Sequence, residues 1–159
     1  MPGVTFFYAT DEHDHWHIKD FHTYQILDEG GTQVKIGEKD AFCFEDNTNY
    51  RDWLDHPVKY PRVPRHPVYT EEASCGDRDR LATSLLHGLS RGWGDTYPTT
   101  LPDQGVDITG LPDGVNTGSV KIDTDNFARE PNERNNTATV IVRIKCDRVT
   151  ADPRTATGL

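Results

Sequence analysis

The segment Thr137 to Lys145, TATVIVRIK, alternates side-chain character over its whole length. Val140, Val142 and Ile144 fall on one side of an extended chain, and Thr139, Ile141 and Arg143 on the other. A period of two is the mark of a strand with two different faces, and an α-helix cannot use it. Similar runs precede it. Val4–Thr10 (VTFFYAT) is β-branched and aromatic, Phe21–Leu27 (FHTYQIL) follows, and Gly30-Gly31 then signals a reversal into Thr32–Ile36. Ala41–Glu45, Val106–Thr109 and Val115–Asp123 are further strand candidates, with Leu111-Pro112-Asp113-Gly114 as a tight turn. Leu81–Leu89 reads as a short helical turn. Short strands, turn signals and little helix predict an all-β chain, an antiparallel β-sandwich with long irregular loops.

The 159 residues suit one domain over 1–147, with a flexible polar C-terminal tail over 148–159. Between about Asp46 and Arg80 the pattern breaks down among four prolines. An aperiodic loop of that length reads as a functional wall, a covalently tied segment or a disordered insertion. Among Cys43, Cys75 and Cys146 no CxxC occurs, which argues against a cysteine zinc site. A Cys43–Cys75 bridge is the favoured pairing, because it would close the irregular loop. No stretch is apolar enough to span a membrane, and no signal peptide opens the chain. The net charge of -9 disfavours nucleic acid and suits cationic partners such as amines, or solubility alone. Nucleotide-binding and serine-hydrolase motifs are absent.

The run Glu12-His13-Asp14-His15-Trp16-His17 carries the chemistry. If it continues the direction of Val4–Thr10 as a strand, His13, His15 and His17 project from one face. Three converging imidazoles form a nitrogen-only ligand set with open positions, suited to copper, zinc, nickel or iron. A surface histidine tract is the plain alternative, but a tag would be terminal and uninterrupted.

Three further patches follow in order: Gly37-Glu38-Lys39-Asp40-Ala41-Phe42-Cys43-Phe44-Glu45-Asp46, Gly88–Tyr97, and Val106–Gly114, with Asn135-Asn136 beyond them. Together with the histidines, from about Thr5 to Lys145, the chain resembles the catalytic domain of the lysyl oxidase family, in a microbial form. The resemblance implies Cu(II) held by His13, His15 and His17. It implies a lysine tyrosylquinone built from Lys39 and Tyr97. The implied reaction is oxidative deamination of primary amines, including peptidyl lysine, by O₂, giving an aldehyde, ammonia and hydrogen peroxide. It also implies secretion, and a calcium loop at Glu130, Asn135 and Asn136. Asn132 stands there where the family has Asp, and backbone hydrogen bonding by the Asn side chains is the plainer role. Family domains carry strands ahead of the copper motif, so the resemblance implies a shortened N-terminus. Without the resemblance, Lys39 reads as a solvated turn lysine and Tyr97 as a packed sandwich tyrosine.

Amine oxidation needs a base. Asp95, two residues from Tyr97, is the first candidate and His22 the other, and either also reads as structural; Asp107 reads as a buried sheet-edge acid. Two readings from other classes need only the histidines: a non-catalytic copper-binding β-sandwich module, and a mononuclear metal oxygenase or hydrolase.

Overall fold

A computed structural model of the protein describes residues 4–10, 14–37, 41–50, 65–98, 100, 104–128 and 132–158. Its ten strands are β1 (Phe6–Tyr8), β2 (Trp16–Lys19), β3 (His22–Leu27), β4 (Gln33–Ile36), β5 (Ala41–Phe42), β6 (Thr48–Asn49), β7 (Trp93–Gly94), β8 (Gly114–Ile122), β9 (Thr137–Lys145) and β10 (Arg148–Thr157). No helix occurs among the described residues, so the all-β antiparallel expectation holds. The helical turn expected at Leu81–Leu89 is instead a turn at Leu81 and a bend at Thr83 and Ser84, followed by irregular chain.

The chain forms two compact units. One comprises Met1–Val4, Asp20–Ala41 and Thr99–Leu159; the other comprises Thr5–Lys19 and Phe42–Pro98. The first is built on a five-stranded sheet in the order β10-β9-β8-β3-β4. Burial follows the alternation of β9: Val142 and Ile144 are buried, and Arg143 and Lys145 are exposed. The β3–β4 reversal uses the expected glycines. Gly31 has φ 79°, and Asp28 Oδ1 accepts the Thr32 N–H at 2.8 Å to close the turn.

Two sequence expectations fail in this unit. The stretch after Asp147 is not a frayed tail but β10, paired with β9 from Arg148↔Lys145 to Asp152↔Ile141 and again at Thr157↔Thr139. Cys146 and Asp147 alone make the reversal, with Cys146 at φ 55° and its N–H bound to Asp113 Oδ1 at 2.7 Å. Pro153 is tolerated because it falls where the register shifts, on an edge strand. Val106–Thr109 is not a strand. Its residues alternate half-buried and exposed as a strand would, but they join no ladder.

The second unit holds β1, β2, β6 and β7. β1, β2 and β5 form a three-stranded sheet in that order, and β6 pairs with β7. β1 and β2 are antiparallel, with Phe6↔Ile18, Phe7↔His17 and Tyr8↔Trp16. The histidine run therefore reverses the Val4–Thr10 direction rather than continuing it. The Ala9 N–H to His15 carbonyl bond at 2.8 Å closes that reversal, and Asp14 adopts φ 48° within it.

Cys43 and Cys75 form the expected disulfide, separated by 32 positions, and both are 1% exposed. Cys146 is a free, exposed thiol. The irregular segment is also fastened by Asp46. Its carboxylate accepts the backbone N–H groups of Val68 at 2.8 Å, Tyr69 at 3.2 Å and Ser90 at 2.7 Å. Burial alone would push this carboxyl up, but the donors from Ser90, Val68 and Tyr69 outweigh it and hold it below the usual carboxylate range.

Candidate metal centre

His15 and His17 are both buried and lie on one side of the chain that enters β2. Their ring centroids are 4.8 Å apart, and their Nε2 atoms approach to 2.9 Å. In a metal-free protein this distance is a hydrogen bond in which one ring donates to the other. It is also the separation expected of two ligands on one ion. With metal–nitrogen bonds of about 2.0–2.1 Å, nitrogens 2.9 Å apart subtend an angle of about 90° at the metal. Copper(II) in tetragonal geometry uses such angles. The donor pair thus fits a borderline transition metal. His13 lies outside the described residues.

The strand is well supported around these rings. Phe7 of β1 meets the His17 ring edge-on at 5.5 Å, and Tyr8 meets Trp16 at 5.7 Å. The Trp16 N–H donates to the Cys75 carbonyl at 2.8 Å, and the Trp16 indole N–H donates to the Asp79 carbonyl at 2.9 Å. Gly76, at φ 63°, leaves no room for a Cβ: its position would meet Leu85 at 2.9 Å and Trp16 at 3.0 Å.

Tyr97 is in the same unit, half-buried. Its hydroxyl donates to the Cys43 carbonyl at 3.1 Å, and its ring lies 6.0 Å from Phe42. Burial raises the phenol's pKa, and the charges of Asp95 and Glu45 raise it further, so the free side chain stays protonated. Asp95 thus bears on the ionisation of this phenol. Its Oδ1 also accepts from Asn47 Nδ2 at 2.6 Å.

Two residues that the sequence reading did not single out belong to this neighbourhood. A Glu45 carboxylate oxygen, a His15 ring nitrogen and the Cys43 sulfur all lie within 4.8 Å of one another. Burial, followed by the charge of Asp95, pushes the Glu45 carboxyl up to about 7. His87 packs its ring against Phe44 at 4.7 Å and Phe6 at 6.1 Å, with Nδ1 3.0 Å from the Cys75 sulfur. Phe44 N–H donates to that Nδ1 at 3.4 Å, so neutral His87 carries its proton on Nε2, a buried atom with no acceptor. Burial, assisted by His15, pushes His87 down to about 4. Neither residue had a sequence signal: one acid among 26 and one histidine among seven stand out only once the chain is folded.

The other predicted residues are placed as follows. Lys39 and Glu130 lie outside the described residues. His22 is buried at the start of β3, in the unit that does not hold Tyr97, with its ring 4.9 Å from that of Tyr24. Asp107 is not a buried sheet-edge acid. It is exposed, and the hydroxyl and N–H of Thr109 hold its carboxyl below the usual range. Asn135 is exposed, and Asn136 is half-buried with Oδ1 shielded and accepting no hydrogen bond. Asn132 Oδ1 accepts the Arg134 N–H at 3.1 Å, the local backbone role expected of an Asn loop.

No family model matches the chain. No curated protein matches it either.

Proposed function

We propose that the chain is a copper-dependent amine oxidase of the lysyl oxidase type. It would convert primary amines, including lysine side chains of peptides, to aldehydes at the expense of O₂, with water consumed and ammonia and hydrogen peroxide released. The observation that carries the reading is the pair of buried imidazoles whose Nε2 atoms converge to 2.9 Å, in the same compact unit as Tyr97. His15 and His17, with His13, would hold Cu(II), and Tyr97 and Lys39 would supply a lysine tyrosylquinone. That group, once formed, supplies the electron sink that amine oxidation requires.

The chain's own residues account for the surroundings of that chemistry. Tyr97 is held by the Cys43 carbonyl and kept neutral until a metal or oxidant acts on it. Asp95, adjacent to the phenol and fixed by Asn47, is positioned to hold the proton taken from the substrate carbon. Buried Phe42, Cys43 and Cys75 place apolar groups beside Tyr97. The acidic chain, at -9, attracts ammonium substrates and repels nucleic acid. The disulfide suits an oxidising, extracellular setting. Among the described residues no helix is long and apolar enough to cross a membrane. The shielded Asn136 Oδ1 suits an accessory calcium ion shared with Asn135 and Glu130.

The test is intact mass and peptide mapping after aerobic incubation with copper. A Lys39–Tyr97 cross-link, visible quinone absorbance, and loss of both in Lys39→Ala and Tyr97→Phe are expected. Stoichiometric copper with Lys39 and Tyr97 unmodified would instead assign the chain to non-catalytic copper binding. Amine turnover surviving Tyr97→Phe would assign it to direct chemistry at the metal.

A further inference from the structure

We propose that the groove at the ends of β8, β9 and β10 binds a small tetrahedral dianion of the phosphate class. The groove lies wholly within the unit built on the five-stranded sheet, so the proposal is independent of the metal reading. Its cavity of about 390 Å³ is in the range of small-molecule sites. Arg143, Lys145, Arg148 and Thr150 line it, together with Asp113 and Val115.

Strand pairing gathers the three cations on one face. Lys145 is directly opposite Arg148, and Arg143 is opposite Thr150 on one side and Val115 on the other. Paired residues share a face, as do residues two apart on a strand. Arg143, Lys145 and Arg148 therefore project from the side opposite buried Val142 and Ile144. Opposed side chains start about 4.5–5.5 Å apart, and Arg143 stands about 7 Å along the strand from Lys145. Like charges so opposed destabilise a sheet. The short Cys146-Asp147 reversal fixes Lys145 against Arg148, so the repulsion is built into the register.

Among the described residues no carboxylate forms an ion pair with any of the three. Asp152, on the same face, is bonded to Arg154 at 2.9 Å and feels Arg143 only at longer range. Asp113 accepts the Cys146 N–H at 2.7 Å. Three cations and the Asp113 carboxylate leave a local charge of +2, in a chain of net charge -9. A dianion neutralises that charge and relieves the opposed pair. Guanidinium forks match phosphate oxygens bidentately, and the Thr150 hydroxyl adds a neutral donor. A long polyanion would run from the groove onto the rest of an acidic chain, which repels it. No aromatic ring among the described residues lines the groove to stack a base. The occupant is therefore a small dianion and not a nucleic acid. A phosphate group fills only part of the cavity, which leaves room beside Val115 for the organic part of a phosphate monoester.

The test is calorimetric titration of the metal-free full chain with inorganic phosphate, glycerol phosphate and acetate. The ionic strength is held constant and the pH is about 8, where phosphate is a dianion. The wild type, Lys145→Gln, Arg148→Gln and Arg143→Lys are compared. Saturable binding of phosphate is expected, with acetate weaker by at least about tenfold. Lys145→Gln and Arg148→Gln should each lose about tenfold or more in phosphate affinity, as expected for a hydrogen bond to a charged group. Arg143→Lys keeps the charge without the fork and should fall between them and the wild type. Without phosphate, the urea midpoints of the two Gln variants should be no lower than that of the wild type, because each removes an opposed like charge. Lost binding therefore cannot be laid to lost folding. Glycerol phosphate bound as tightly as inorganic phosphate assigns the groove to monoesters, and its exclusion assigns the groove to the free ion. Equal, weak binding of all three anions overturns the proposal, as does phosphate binding unchanged in both Gln variants. The groove is then a solvated basic face.

Discussion

Breaking the Cys43–Cys75 bridge isolates what holds the irregular segment to the histidine strand. The disulfide closes a loop of 32 positions, for which the chain-entropy relation gives about 3.7 kcal/mol at 25 °C. Replacing both cysteines by alanine removes two buried sulfurs as well, a further loss on the order of 1 kcal/mol. The structure adds a local consequence. Cys75 accepts the Trp16 N–H and donates its own to the Leu86 carbonyl, so slackening the loop loosens the strand bearing His17. The assay is urea denaturation of the metal-free wild type and the Cys43→Ala/Cys75→Ala double variant. With a slope of about 2 kcal/mol per molar, the midpoint should fall by about 2 M, and the slope should steepen as the unfolded chain opens. A loss below about 1 kcal/mol refutes the loop-closure reasoning. The three N–H groups gathered by Asp46 would then be the dominant fastening.

Two further outcomes follow from the same fold. His87, held at about 4 against an ordinary 6.5, stays neutral in the fold while the unfolded chain takes up a proton. Its stabilising contribution, up to about 3 kcal/mol, is complete above pH 6.5 and is lost as the pH falls toward 4. Replacing His87 with leucine should flatten the acid limb of a stability-versus-pH curve, and an unchanged limb contradicts the assignment. Ending the chain at Asp147 removes β10 and leaves β9 as an unpaired edge. Light scattering should then show larger species than for the full chain, whereas an unaltered size distribution would mean that β10 protects nothing.

The sequence made legible those elements whose pattern and hydrogen bonding agree. β9 occupies the nine residues where alternation was unbroken, and β8 begins one residue earlier than expected. Val106–Thr109 shows the limit: alternation reports which side chains are buried, not whether the backbone finds a ladder. β10 was hidden because Pro153 interrupts it and its turn, Cys146-Asp147, lacks the Asn-Gly or Gly-Gly chemistry that marks most two-residue reversals. β6 and β7 are two residues each, too short for any period to register. In the candidate centre, spacing revealed His15 and His17 because strand geometry converts it directly into convergence. Asp95 was legible as a neighbour of Tyr97 for the same local reason. Glu45 and His87 were not, because their positions depend on the pairing of Cys43 with Cys75, a contact made across the longest aperiodic part of the chain.

The two left-handed residues around the histidine strand, Asp14 at φ 48° and Asp20 at φ 58°, act as stops at either end of β2. A displacement of one residue would exchange the faces, putting the Trp16 indole where the imidazoles now meet and turning His15 and His17 toward the opposite side. A single insertion between Asp14 and Asp20 therefore replaces a nitrogen-lined face with a carbon-lined one without changing any residue's identity. The donor set is encoded as much by where this strand is allowed to begin and end as by the histidines themselves.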